Sequence, residues 1–251
     1  MEINRECTMI TTEMLLEAAK RKGLTNKEHI EKDYYQDLLL FHLHQQTNKL
    51  IFKGGTALYK LYQLPRFSED LDFSLIGETD FRAILTLAVE KISEAKINEI
   101  KELQGSFLCR IRFSGIITSG NPVRIDISMN NPLLEKFEVK NYVPTYPDLN
   151  PFALRVMNVK EIVAEKIHAL FAREKSRDLY DLFFLLRFVE LDKNLVQKKL
   201  SHFKMQFDDK KIAERIDNLE AVWEKELTAF ILGKLPPFEI VKDFVMNRLE
   251  K

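Results

Sequence analysis

The chain has 251 residues, of which 45% are hydrophobic and 30% charged, and its 38 Lys and Arg balance its 38 Asp and Glu. This composition is typical of a globular protein of one large or two smaller domains. The zero net charge gives no support for nucleic-acid binding and leaves a local basic patch open. Because Cys7 and Cys109 are the two cysteines of the chain, a CxxC-type metal site is excluded, and both are expected to be reduced thiols. The sequence shows neither a signal-peptide pattern nor an apolar run of membrane-spanning length, so we expect a cytoplasmic protein with no membrane contact.

Two helices are predicted at the start of the chain. The first covers residues 11–21, where Thr11 or Thr12 can cap it and Gly23 can end it. The second covers residues 26–46, where apolar side chains recur at helical spacing.

A glycine pair follows the next predicted element, a short strand over residues 50–53. Gly54, Gly55 and Thr56 separate this strand from an apolar helical pattern that continues to about residue 63. Glycines let backbone N–H groups approach a phosphate, and the N-terminus of a helix adds partial positive charge. The turn is therefore predicted to hold the phosphates of a nucleotide.

Two carboxylates, Asp70 and Asp72, occupy the next predicted strand one residue apart. Side chains alternate along a strand, so both acids point to one face while Leu71 and Phe73 point to the other. Two acids on one face repel each other unless a cation lies between them, and Mg²⁺ prefers carboxylate oxygens. With the glycine turn upstream, the pair indicates nucleotide chemistry.

A third acid is expected in the same sheet. After a helix over residues 80–95, residues 107–117 and 123–129 predict two strands, and the short turn between them favours a hairpin. The second strand has Asp126 on its polar face. Three acids on strands can hold two Mg²⁺ ions for phosphoryl or nucleotidyl transfer, or Asp126 can take a proton from the attacking hydroxyl.

The fold class predicted is α+β, with a domain boundary near residue 150. Residues 131–152 are rich in proline and polar residues and are interpreted as a connection without secondary structure. The first domain is therefore 1–150 and the second, helical domain is 151–251. Helices of the second domain are predicted over 158–173, around 178–184, and over 195–204, 212–230 and 238–249, and the first of them opens with the capping-box spacing of Asn158 and Glu161.

Several motifs together resemble a known family. FKGGTAL at 52–58 and RFSEDLDF at 66–73 closely resemble the AbiEii/AbiGii-type toxins, which are minimal nucleotidyltransferase-fold proteins of bacterial abortive-infection and toxin–antitoxin systems. EKDY at 31–34 resembles the upstream helix motif of this family. EKIHALFAR at 165–173 and RDLYDL at 177–182 resemble its C-terminal signature.

This resemblance implies a nucleotidyltransferase-like mixed β-sheet flanked by helices, followed by a C-terminal helical bundle. It implies an enzyme that transfers a nucleoside monophosphate from an NTP to an acceptor, such as the 3′ end of tRNA or a protein hydroxyl. Such an enzyme would require Mg²⁺, or Mn²⁺ in its place, and a cognate antitoxin would neutralise it.

The expected site residues form two overlapping groups. The catalytic group is Asp70, Asp72, Asp126, Lys166 and Asp181, of which the first three are the metal ligands. The nucleotide-binding group is Lys53, Gly54, Gly55, Thr56, Arg66, Ser68, Lys166, Arg173, Arg177 and Asp178. Lys166 and Arg173 are seven residues apart and share a helix face that can meet phosphates. Asp178 and Asp181 can instead orient Lys166 or Arg66 through ion pairs, so a catalytic and a structural role both stay open.

Two other functions share parts of this pattern. A small-molecule nucleotidyltransferase of the antibiotic-adenylylating kind has the same combination of a glycine turn and a downstream acid pair. It would modify an aminoglycoside instead of RNA. A non-catalytic nucleotide-binding module would bind an NTP without turnover. The presence of Asp70, Asp72 and Asp126 argues against the module, because mutually repelling acids have no use there without a cation.

Overall fold

The computed structural model describes residues 10–93 and 95–250. Contacts divide this part of the chain into two units, the first made of residues 10–61, 68–132 and 139–156 and the second of residues 62–67, 133–138 and 157–250. Cys7 lies outside the described residues, and Cys109 is a free, buried cysteine.

The first part of the described chain folds into helices and a seven-stranded mixed sheet. The helices are α1 (Thr12–Arg21), α2 (Lys27–Gln46), α3 (Gly54–Tyr62) and α4 (Phe81–Val89), and the strands are β1 (Leu50–Lys53), β2 (Leu71–Leu75), β3 (Lys96–Leu103), β4 (Ser106–Arg112), β5 (Val123–Ser128), β6 (Glu138–Tyr142) and β7 (Phe152–Val156). Their order in the sheet is β3-β4-β5-β2-β1-β7-β6. The α+β fold class is therefore confirmed.

Strand β2, which follows Asp70 and contains Asp72, has a neighbour on each side. It pairs antiparallel with β1 and parallel with β5. The predicted hairpin is confirmed, because β4 and β5 pair antiparallel with Leu108 opposite Asp126. The sheet thus places Asp72 beside the end of β1, which the glycine turn follows, and Asp126 on the adjacent strand.

The apolar face of the sheet forms a core under α2. Phe52, Phe73 and Ile125 are fully buried on this face, and the rings of Phe52 and Phe73 lie 5.4 Å apart. Helix α2 packs against α4, β5 and β7. Each such side chain contributes about 1.5–3 kcal/mol when fully buried, so the alternation of apolar residues fixes which face the acids occupy.

The interpretation of residues 131–152 as a connection without secondary structure is wrong. Residues 138–142 form β6, and β7 starts at Phe152 and pairs parallel with β1, with Val156 opposite Phe52. The sheet therefore continues past residue 150. Strand β3 was also not predicted, because it is an edge strand with a mostly exposed, charged sequence and no apolar alternation.

The second unit is a helical bundle. Its helices are α5 (Val159–Ala172), α6 (Ser176–Leu185), α7 (Lys193–His202), α8 (Asp209–Asp217), α9 (Trp223–Leu227) and α10 (Phe238–Glu250). Helix α5 packs against α6, α7 and α8. The single helix predicted over 212–230 is wrong, because α8 ends at Asp217 and α9 starts at Trp223.

The N-terminus of α5 differs in one detail from the predicted capping box. Asn158 caps the helix by accepting from the Lys160 N–H. Glu161 does not complete the box; its carboxylate accepts from the backbone of Leu134 and pairs with Lys199 at 2.7 Å.

Candidate active site

A row of charged residues crosses the three central strands on the polar face of the sheet. Lys53 of β1 is the register partner of Asp72, and Asp72 is the register partner of Asp126. Paired residues on neighbouring strands point to the same face and lie within reach of each other. Asp72 and Asp126 are half-buried, whereas Lys53 is buried.

The carboxylate of Asp72 lies against the glycine turn. Strand β1 ends at Lys53 and α3 begins directly at Gly54, whose φ is +74°. A Cβ atom at Gly54 would be 2.3 Å from Oδ2 of Asp72 and 2.9 Å from its Cγ. Only glycine fits there, and the acid lies near a helix N-terminus, where negative charge is favoured.

Asp70 lies in an irregular segment immediately before β2, which begins at Leu71, so the prediction that one strand carries both acids is wrong for Asp70. The Thr56 hydroxyl donates a hydrogen bond to the Asp70 carbonyl oxygen at 2.5 Å. Thr56, expected to bind nucleotide, is fully buried and holds the acid-bearing segment through this bond. Gly55, the other member of the glycine pair, is also buried, while Gly54 is half-buried.

Arg124, which the sequence analysis did not select, forms an ion pair with one of these acids. Its Nη2 lies 2.8 Å from Oδ2 of Asp126. Burial opposes its charge, but the hydrogen bond and attraction from Asp126, with further attraction from Asp70 and Asp72, raise the pKa of the Arg124 guanidinium. All three carboxylates therefore act on one arginine. The alternation of β5, which puts Arg124 and Asp126 on one face, was the available signal.

The three predicted metal ligands are not gathered around one point. Across residues 10–93 and 95–250, no three His, Cys, Asp or Glu side chains are close enough together to hold a metal ion. Asp72 and Asp126 nevertheless occupy paired positions on strands about 4.8 Å apart. Two aspartates at that spacing supply the oxygen ligands that Mg²⁺ prefers, so the residues fit a divalent cation if Asp126 turns away from Arg124.

The remaining predicted site residues form an ion-pair network within the second unit. Arg66 binds Asp181 with two bonds of 2.6 and 2.7 Å. Lys166 lies 2.7 Å from Asp181 and 2.9 Å from Asp178, and Arg173 binds Asp178 at 2.9 Å. The ion-pair alternative for Asp178 and Asp181 is therefore what the structure displays. Ser68, in the first unit, and Arg177, exposed on α6, are not members of this network.

Attraction between opposite charges keeps Lys166 and Asp178 of this network ionised. Burial disfavours the Lys166 ammonium, but Asp178 and Asp181 outweigh burial and raise its pKa. Burial likewise disfavours the Asp178 carboxylate, yet Lys166 and Arg173 hold its pKa well below the ordinary value. The ammonium and the carboxylate both remain ionised at neutral pH.

A family model described as "Nucleotidyl transferase AbiEii toxin, Type IV TA system" matches residues 38–244. The chain belongs to the AbiEii toxin family. The resemblance drawn from the glycine, acid and C-terminal motifs is thus confirmed, and the AbiEii protein is a nucleotidyltransferase of a toxin–antitoxin system. Membership implies an NTP substrate and a cognate antitoxin.

Three known proteins are similar to this chain in sequence or in structure. An uncharacterized protein of Aquifex aeolicus is 30% identical over 214 residues, which are 80% of this chain and 90% of that protein. MenT4, a nucleotidyltransferase toxin of Mycobacterium tuberculosis, has a similar structure with a TM-score of 0.68 and 21% identity, covering 93% of this chain and 87% of MenT4. A putative nucleotidyltransferase from H. pylori has a TM-score of 0.58 and 19% identity, covering 90% of this chain and 95% of its own.

These structural matches confirm the predicted nucleotidyltransferase-like fold of the AbiEii chain. Within the part of the chain that the structure describes, no helix combines the length and apolar character needed to cross a membrane.

Proposed function

We propose that this AbiEii-family nucleotidyltransferase uses Mg²⁺ and transfers a nucleoside monophosphate from an NTP to the 3′ end of an RNA, such as tRNA. One observation carries the proposal: Asp72 lies against the glycine turn and is in register with Asp126. A phosphate-binding turn and two facing acids on one surface are what a metal-assisted transfer from a triphosphate requires.

In the first unit, each residue has a proposed role. The backbone N–H groups of Gly54 and Gly55 bind the phosphates at the start of α3, while Thr56 holds Asp70 in place. Asp70, Asp72 and Asp126 would be the ligands of Mg²⁺, or of Mn²⁺. A bound divalent ion supplies positive charge that offsets the charge of the triphosphate and of the leaving pyrophosphate.

Asp126 has two proposed states. In the first it pairs with Arg124, as in the described contact of 2.8 Å. In the second it turns toward Asp72, where it completes the metal ligands or accepts the proton of the attacking hydroxyl. The displaced Arg124 then remains beside the acids as a cation available to a phosphate. Lys53, next to Asp72 in the row, and Ser68 are proposed nucleotide contacts.

For the second unit by itself, we propose that Lys166 and Arg173 contact phosphate oxygens of the triphosphate or of the acceptor. Their ion-pair partners are Asp178 and Asp181, the second of which also binds Arg66, and Arg177 is a further cation. The support is the family motif and the raised pKa of Lys166, which keeps the ammonium charged at neutral pH. A permanent cation stabilises charge that develops on phosphate oxygens.

An RNA acceptor is favoured by the membership of a toxin family. A toxin must modify a molecule that growth requires, and the 3′ end of tRNA is needed for every round of translation. We propose that the enzyme acts in the cytoplasm, where NTPs and tRNA are present.

The test is a labelling assay with several acceptors. Pure protein is incubated with each of the four α-³²P-labelled NTPs, Mg²⁺, and either total tRNA, a cell protein extract or an aminoglycoside. We expect the label to appear at the 3′ end of the RNA, from which a 3′ exonuclease should remove it. Label on the aminoglycoside alone, or on protein alone, would overturn the RNA assignment, and NTP binding without any label would overturn Mg²⁺-dependent transfer.

A further inference from the structure

The segment that leads into β2 is irregular, yet its three successive carbonyl groups all have side-chain donors. The Gln36 amide nitrogen donates to the Ser68 oxygen at 2.8 Å and to the Glu69 oxygen at 2.9 Å. The Thr56 hydroxyl donates to the next oxygen, that of Asp70. Two helices, α2 and α3, thus hold the backbone from Ser68 to Asp70, the first of the acids proposed as metal ligands.

Gln36 is fully buried in α2. It stands on the buried stripe of that helix, four residues before Leu40 and seven before Leu43. A buried amide costs several kcal/mol unless its hydrogen bonds are made, so a leucine at this place would pack at lower cost. Its nitrogen makes two bonds to the Ser68–Glu69 backbone, 32 and 33 residues along the chain, whereas its oxygen has no hydrogen-bond partner among the described residues. The two bonds of the nitrogen are therefore what the amide contributes at this position.

Helix α2 also contacts the side chain of Glu69, the acid next to Asp70. Lys32, one turn before Gln36, forms an ion pair of 2.7 Å with Glu69. This contact turns Glu69, the residue next to Asp70, toward α2. Helix α2 therefore contacts both the backbone of the segment and the side chain of Glu69.

We propose that Gln36 is a positioning residue that sets the place of Asp70 through the backbone of Ser68 and Glu69, and thereby sets the affinity of the acids for a divalent cation. The inference rests on the proposed function, since it takes Asp70 as a metal ligand. Partners that orient metal ligands from outside the ligand set typically change metal affinity by about 10- to 100-fold when they are removed.

The test compares Gln36→Met with Gln45→Met, a matched change at an exposed position of the same helix. Binding of Mn²⁺ to the protein without NTP is measured from the free-Mn²⁺ EPR signal, and kcat and KM for NTP are measured in the labelling assay. We expect Gln36→Met to weaken Mn²⁺ binding by about 10- to 100-fold and to lower kcat at fixed Mn²⁺, with KM little changed. Excess Mn²⁺ should restore part of kcat, and Gln45→Met should match the wild type.

The outcomes separate the two claims. If Gln36→Met binds Mn²⁺ with wild-type affinity while its Tm falls, Gln36 is only a structural residue and the inference is overturned. If Gln36→Met does not fold, the same measurements are made on Gln36→Glu, whose ionised carboxylate cannot donate to either carbonyl, and wild-type Mn²⁺ affinity there overturns the inference too. If Asp70→Ala keeps wild-type Mn²⁺ binding and transfer, the proposed function itself fails, whatever Gln36 does.

Discussion

At the scale of single residues, Gly54 is the position on which the site geometry depends most. It joins β1 to α3 with a positive φ and leaves only enough room for the Asp72 carboxylate beside its Cα. A side chain there would meet two obstacles, the left-handed backbone and the acid. The second obstacle is specific to the site, because it acts directly on Asp72.

Gly54→Ala and Gly77→Ala separate these two effects. Both glycines have positive φ, +74° and +67°, so each change should cost about 1–2 kcal/mol of backbone strain. Only the Cβ at Gly54 meets an atom, Oδ2 of Asp72, whereas nothing lies within 4 Å at Gly77. We expect transfer to fall roughly 100-fold in Gly54→Ala, since a misplacement of about 1 Å can have that effect. Equal activity of the two variants, measured in the labelling assay alongside their denaturation midpoints, would contradict this account.

At the scale of elements, α2 differs from an ordinary amphipathic helix because it buries acids. Glu31, Asp33 and Asp37 are nearly inaccessible. Asp33 and Asp37 both pair with Lys60 of α3, at 2.9 and 2.5 Å. The Glu31 carboxylate accepts from the backbone N–H groups of residues 116–118 and from the Thr118 hydroxyl. Helix α2 thus fixes both α3 and the β4–β5 loop by polar contacts.

The ionisation of Glu31 should make the free energy of unfolding depend on pH. Burial alone would raise the pKa of Glu31, but the hydrogen bonds from Thr118, Ile117 and Ile116 outweigh it and hold the pKa below its ordinary value. Because the folded pKa is lowered, the stabilisation is complete above the unfolded pKa of about 4.3 and is lost as pH falls through the folded pKa.

Thermal unfolding of wild type and Glu31→Gln between pH 7 and pH 3 checks this prediction. The difference in Tm should be largest near neutral pH and should shrink below about pH 4. Glu28→Gln, an exposed acid on the same helix, is the control and should follow the wild type. A difference that stays constant across the range would show that the Glu31 charge does not stabilise the loop.

Helices α5 and α6 are joined by the ion pairs of Lys166. In Lys166→Met, Asp178 and Asp181 lose a buried partner at 2.9 and 2.7 Å, and breaking a buried pair from one side costs about 3–5 kcal/mol. The free energy of unfolding in urea should fall by that amount, while Lys160→Met, at an exposed position of α5, should change it by less than about 0.5 kcal/mol. A small effect in Lys166→Met would mean that its two carboxylates are sufficiently neutralised by Arg66 and Arg173.

At the scale of the whole molecule, local sequence patterns predicted the elements around the candidate site, but they did not predict the long-range pairings. The strand–glycine–helix turn and the alternation from Leu71 through Asp72 are set by neighbouring residues, and the short β4–β5 turn predicted the hairpin that carries Asp126. Asp70 lies before the strand, where its backbone is held by side chains of α2 and α3 that are distant in sequence. Strand β7 could not be foreseen, because its pairing with β1 joins residues about a hundred positions apart and its proline-flanked sequence favours a loop. Burial of Gln36 and Lys166 is likewise decided by distant partners, and each alone is typical of a surface residue.

The central claim is that the paired acids of β2 and β5 carry out the transfer. Its most direct test is the rate at which label from an α-³²P NTP enters RNA in wild type, Asp72→Asn, Asp126→Asn and the control Glu102→Gln, an exposed acid of the same sheet. Loss of several kcal/mol of charge stabilisation should lower the rate at least about 100-fold in both aspartate variants, with circular dichroism unchanged and the control at the wild-type rate. A folded Asp72→Asn protein that labels RNA as fast as the wild type would contradict the account.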